Sequence, residues 1–234
     1  MARIFEQLNF YDIFGYLMPG AVVAGCALLL VDAAFPDVAV DLGATSAGEW
    51  VGLVFLAYLA GHIVQAVARH VEQAINRVRW GGWPSDAFLR PDNHRFTPEF
   101  KDSLRKVIGD QYALPETAFS REAFAICYSY VIQKGIRRRV EPFLGLCGLS
   151  RGMIVASAIA ALLLAGGAAA HAVHGDATKD IALFAAGAAA ALLAALVFVE
   201  RLADFSERFA EAVYRDFYVA HKGGTAEGVK TGGG

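Results

Sequence analysis

Few polar side chains in this chain stand where chemistry would matter, and two of them lie in an apolar run. His62 and Gln65 fall in the last part of a stretch that opens at Trp50 and lasts to about Ala68. Spacings of three and four continue their line to Arg69 and to Glu72 or Gln73, one polar stripe down a helix. An ionisable residue inside a membrane span is by default a functional candidate. The plainer role open to His62 is to face headgroups or to bond a neighbouring backbone. General acid–base work by His62, His70, Glu72 or His94 needs these groups to converge within hydrogen-bond reach. His70 and Glu72 fall on different sides of one helix, and there is no nucleophile elbow, zinc-helix motif or phosphate loop. The expectation is a protein that is not an enzyme, with no catalytic residue and no cofactor.

Lys134, Arg137, Arg138, Arg139 and Arg151 form a second group just before the third apolar run. As a basic belt they would touch anionic lipid. Guanidinium groups also suit bidentate phosphate contacts, so a phosphorylated small ligand is the sharper reading. His171, His174, Asp176 and Asp180 could approach a metal, but a short loop enforces no geometry there, and no metal site is expected. Cys26, Cys127 and Cys147 are odd in number, lack metal-ligand spacing, and read as reduced and structural.

The elements that must position these residues are membrane helices. Of 234 residues, 56% are hydrophobic and 19% charged, an excess over the roughly 45–50% apolar content of soluble domains. The excess is concentrated in four runs at about 13–31, 50–68, 153–173 and 181–199. Asp12 and Asp32 bracket nineteen uncharged residues, enough at about 1.5 Å each to cross a hydrocarbon core of about 30 Å. That run is too long, and its acidic flank is wrong, for a secretory signal. Within it Pro19 has no N–H to give to the carbonyl of Gly15, so a kink is expected over Gly15, Pro19 and Gly20. It serves as a hinge, as a broken-helix site for a ligand, or as a place where a neighbouring helix comes close. In the fourth run Ala182, Ala186, Ala190 and Ala194 keep a four-residue step beside Gly187, Ala191 and Ala195, a face on which two helices can meet within one chain or between chains.

Residues 1–12 read as an interfacial segment. Residues 69–151 are a helical polar region inserted between spans two and three. The second helix should continue through Arg77 and stop at Trp80-Gly81-Gly82-Trp83-Pro84. An irregular stretch with Pro91 follows. Thr97-Pro98-Glu99 then opens a helix carrying Phe100 and Leu104, and Ser120 caps another with Phe124, Cys127 or Tyr128, Val131 and Ile132 inside. Beyond Val199 an amphipathic helix at 200–221 carries Leu202, Phe205, Phe209, Val213 and Phe217, flanked by Asp204–Arg208 and Glu211–Arg215. It is a docking or oligomerisation surface, or packs on residues 98–140. The glycine-rich residues 222–234 read as disordered. The fold class is all-α: a polytopic protein with four transmembrane helices.

Lys and Arg are placed asymmetrically: one before span one, none between one and two, fourteen between two and three, one between three and four, five after. The positive-inside rule then puts both termini and residues 69–151 in the cytoplasm. A net charge of −2 argues against direct nucleic-acid binding.

Three segments carry a resemblance: Tyr11-Asp12-x-x-Gly15-Tyr16-x-x-Pro19-Gly20, Gly61-His62-Ile63-Val64-Gln65-Ala66 and Gly148-Leu149-Ser150-Arg151-Gly152. Together they resemble uncharacterised bacterial four-span inner-membrane proteins, some of which are similar to membrane components of phage-defence operons. The resemblance implies a multi-pass protein of the bacterial inner membrane and brings no catalytic residues. Two functions are then open. One is an oligomeric effector or sensor whose cytoplasmic region receives a ligand or partner and perturbs the membrane. The other is a non-catalytic scaffold that recruits a soluble protein. Four spans without an internal repeat give little for alternating access, which argues against a transporter.

Overall fold

The structure is a computed structural model and describes residues 13–35, 46–112, 121–136, 140–175 and 177–228. The interfacial segment 1–12, Ser120, Arg137–Arg139, Asp176 and the last residues of the tail lie outside them. Among the described residues every regular element is helical. A π-helical turn (Ile13–Leu17) leads into α1 (Met18–Ala34), followed by α2 (Ala47–Trp80), α3 (Pro84–Phe88), α4 (Pro98–Tyr112), α5 (Arg121–Gln133), α6 (Val140–His174) and α7 (Thr178–Gly228). Four helices are long and apolar enough to cross a membrane: Gly15–Ala34, and those that begin at Ala47, Val140 and Thr178. The expected all-α, four-span class is therefore what the chain adopts. The helix α7 runs on to Gly228, past the point near 222 where glycine predicts it to give way.

The chain divides into two compact units, one of Met1–Glu72 with Gly145–Leu202, the other of Gln73–Leu144 with Ala203–Gly234. In the first, the membrane unit, Val64 and Ala68 of α2 pack with Val155 and Ala156 of α6, and Val22 and Val23 of α1 lean on them. The opposite faces carry exposed aliphatics, among them Val51, Ile63, Leu162 and Leu183, as lipid-facing helices require. Within the apolar window of α7 only 6% is buried, against 39% for α6, so the fourth span leaves most of its surface uncovered by the rest of the chain. The alanine row is split accordingly. Ala182, Ala186 and Ala190 are exposed, and the contact with α6 uses the neighbouring row, where Gly187 meets Leu164 and Phe184 lies over Gly167. The helix α2 opens on a capping box: Ser46 N–H donates to Glu49 Oε2 (2.6 Å) while Glu49 N–H donates to Ser46 Oγ (3.4 Å).

The second unit is an aromatic bundle. The end of α2 falls at Trp80, where Gly81 takes a φ of 66° and its N–H returns to the Arg77 carbonyl, as the glycine pair predicts. Thr97 Oγ1 accepts from Phe100 N–H and starts α4. The core holds Phe88, Phe96, Leu104, Ile108, Cys127, Val131, Val213, Tyr214 and Phe217. Tyr214 stands at its centre, edge-on to Phe96 and Phe124, with its hydroxyl donating to the Ser85 carbonyl at 3.0 Å. Of the two readings of the 200–221 helix, packing on residues 98–140 is the one adopted: Phe209 meets Phe124, Phe217 meets Tyr130 and Tyr218 meets Phe100. The irregular stretch around Pro91 is pinned by cations. Buried Lys101 donates Nζ to the carbonyls of Arg90 (2.7 Å) and Asn93, and Arg95 pairs with Glu211 (2.8 Å) and Glu207 (3.5 Å).

Candidate functional site

Pro19 deprives the Gly15 carbonyl of the N–H that a regular helix would supply, and the chain widens there into the π-helical turn. The replacement donor comes from α2. Gln65 Nε2 donates to the Gly15 carbonyl and, at 2.8 Å, to the Gly148 carbonyl of α6. The amide oxygen of the same side chain accepts from Arg151 Nε at 2.8 Å, and Arg151 NH1 reaches Glu72 Oε2 at 3.0 Å. Gln65 and Glu72 are both buried, 6% and 5% exposed, and Arg151 is mostly covered. One glutamine thus ties the start of α1, the middle of α2 and the start of the third apolar run into one polar clamp.

Three glycines let the helices come close enough for this. A Cβ on Gly20 would collide with the carbonyl of Ala57, and one on Gly61 with the carbonyl of Tyr16, so α1 and α2 cross backbone against backbone. A Cβ on Gly152 would stand 2.8 Å from Pro19 Cγ and 2.5 Å from Gln65 Nε2. Glycine there leaves room for the amide to reach Gly148. The three segments singled out in the sequence meet at this clamp: Gly15, Pro19 and Gly20, then Gly61 and Gln65, then Gly148, Arg151 and Gly152.

His62 goes elsewhere. Its ring stacks on Tyr16 (centroids 4.2 Å apart, 27°) and meets Tyr58 edge-on (4.7 Å, 85°) on an exposed face. The polar stripe drawn through His62, Gln65, Arg69 and Glu72 therefore divides. Gln65 and Glu72 turn inward, whereas His62, Arg69 and Gln73 stay exposed. The register explains it: positions 61, 65, 68, 72 and 76 follow the true helical period, and 62 and 69 lie off that line.

The basic belt also divides. Arg151 belongs to α6 and is committed to Gln65 and Glu72, so it leaves the lipid- or phosphate-binding group. Lys134 is exposed beyond α5, with Nζ over the Tyr130 ring at 5.7 Å. His70 Nδ1 lies 3.0 Å from the Ala66 carbonyl of its own helix, and His94 is exposed. His171 meets the Phe184 ring. Among the described residues no three His, Cys, Asp or Glu side chains gather as a metal site would need. The Glu72–Arg151 pair escaped sequence reading, although Glu72 lies two turns from Gln65 and Arg151 lies one turn from Gly148.

In the bundle, burial raises the Cys127 thiol and holds the Tyr214 phenol well above its ordinary range. Both are thereby kept neutral and unreactive. The bonds of Lys222 and then Ser103 to the Tyr218 hydroxyl lower that phenol.

Four membrane-length helices, three of them joined by a buried polar clamp, define a multi-pass membrane protein. No protein-family model matches the chain, and no curated protein or solved structure is detectably similar to it.

Proposed function

We propose that this chain is an oligomeric effector or sensor of the bacterial inner membrane. Its polar part lies in the cytoplasm, receives a ligand or soluble partner, and rearranges the spans so that the bilayer is perturbed. The observation that carries this reading is the clamp of Gln65, Arg151 and Glu72 on the Gly15 and Gly148 carbonyls. It joins three spans through bonds that can be exchanged, and it does so beside a wide π-helical turn. The chain leaves the membrane unit inside α2, α6 and α7, so a change in the cytoplasmic part has continuous helices to act through. The Lys and Arg asymmetry supports cytoplasmic termini. Lys134 and Arg137–Arg139 are the candidates for a phosphorylated ligand, and the resemblance at the span entrances extends the role to antiviral defence.

The alternative is a non-catalytic scaffold that recruits a soluble partner through residues 69–151 and 200–221, of which the second offers less free surface. The aromatic stripe of α7 is used inside the bundle, where Phe209, Val213 and Phe217 meet α5 and its neighbours. The test is dye release from vesicles holding the purified protein. Wild type should hold the dye and Gln65→Leu should release it. Vesicles that stay tight with both proteins would overturn the effector reading.

A further inference from the structure

The rings of Tyr16, Tyr58 and His62 form a small cluster on the outer face of α1 and α2 that the clamp does not use. Tyr16 covers one face of the imidazole and Tyr58 meets it edge-on. The imidazole makes no hydrogen bond among the described residues. Its exposed neighbours on α2 are Phe55, Leu59 and Ile63, the last 70% exposed. An imidazole with unpartnered nitrogens thus stands on an exposed, largely apolar face of a membrane helix. In hydrocarbon such a group is strongly unfavourable, so it calls for a polar partner from the bilayer surface.

Depth decides which part of the bilayer does so. Gln65, three residues on, lies level with Gly15 and Gly148, where three apolar runs begin or end. His62 is therefore about 5 Å further in. Glycerol ester oxygens are the lipid oxygens nearest that level, with phosphate beyond them, and tyrosine rings collect at the adjoining interface in membrane proteins. We propose that Tyr16, Tyr58 and His62 form a contact site for one phospholipid, whose ester or phosphate oxygen accepts from the imidazole N–H while an acyl chain lies along Phe55, Leu59 and Ile63. The site does not depend on the effector reading. It does touch the same π-helical turn, because Tyr16 belongs to it and presents its carbonyl to Gly61.

The experiment is native mass spectrometry of the whole protein in mild detergent, incubated with phosphatidylglycerol. His62→Phe keeps a ring against Tyr16 and removes both nitrogens, whereas His62→Gln keeps an N–H donor. The expected result is that His62→Phe retains about tenfold less lipid than wild type, with His62→Gln near wild type. Equal retention by wild type and His62→Phe would overturn the site, and so would equal loss in both variants. Displacement of the lipid by millimolar inorganic phosphate alone would identify a free-anion site and overturn the lipid assignment. Should His62→Phe fail to fold, the imidazole ¹⁵N resonance missing from His62→Gln answers for wild type. It should move on adding short-chain phosphatidylglycerol, and a fixed resonance would refute the contact.

Discussion

Replacing Gln65 by leucine removes three hydrogen bonds at nearly constant volume, and their costs differ. The Gly148 carbonyl lies inside α6 and keeps its helical donor at residue 152, so its loss is small. The Gly15 carbonyl has no such reserve, because the residue four positions on is Pro19. An unpartnered buried carbonyl costs about 1–3 kcal/mol. Arg151 keeps Glu72 but loses the acceptor at Nε, about 1 kcal/mol more. The sum is about 2–4 kcal/mol, and the low average of about 0.6 kcal/mol per interhelical bond found in membranes sets the floor near 1 kcal/mol. Equilibrium unfolding in mixed micelles of rising denaturing-detergent fraction, followed by loss of helix, measures this difference.

The same reasoning makes a sharper demand through Pro19→Ala. Alanine at 19 restores the N–H that the Gly15 carbonyl lacks, so Gln65→Leu should cost less in that background. A coupling of about 1–2 kcal/mol is expected from the shared carbonyl. Additivity within about 0.5 kcal/mol would show that Gln65 does not act as the substitute donor. A Gln65→Leu cost below that limit would refute the clamp as a source of stability.

Two further outcomes follow from the geometry. Gly61→Ala forces a Cβ against the backbone of Tyr16, which cannot rotate away. It should lower stability by about 1–3 kcal/mol, whereas Gly52→Ala, with nothing within 4 Å of its Cβ, should be neutral or stabilising by up to about 1 kcal/mol. The same micelle titration compares them. The bundle should weaken in alkali: folded Cys127 and Tyr214 hold their protons to higher pH than the unfolded chain does. The native state then binds more protons, so stability is full below about pH 9 and falls as pH rises through the ordinary thiol and phenol ranges. Thermal midpoints read from pH 7 to 11 should drop across that window, with a later onset in Cys127→Ala. A flat profile would contradict the burial of both groups.

What was legible in the sequence was local. The stop at Trp80 and the start at Thr97 follow from glycine, proline and a hydroxyl within a few residues of each boundary. The four spans follow from uncharged length. The amphipathic helix after Val199 was legible in existence and largely in phase: Leu202, Val213 and Phe217 of the predicted stripe are fully buried, and Phe205 and Phe209 are half-buried. What the stripe left out is the neighbouring row of Ala210 and Tyr214, because a tyrosine centre needs the distant Ser85 carbonyl to satisfy its hydroxyl.

The candidate site was half legible for a related reason. Pro19 announces that the Gly15 carbonyl lacks a donor, but the donor lies fifty residues away, and no local rule selects it. What selects it is the crossing of α1 and α2, set by Gly20 and Gly61 meeting backbone to backbone. Arg151 was misplaced because counting charge along the chain groups it with Lys134 and Arg137–Arg139. Once α6 is seen to begin at Val140, its helical phase sets Arg151 beside Gly148 and turned toward Gln65. Small residues, a missing N–H and one long amide become a site only together. Each looks ordinary in its own segment, and the chemistry appears when three span ends share one carbonyl-rich corner.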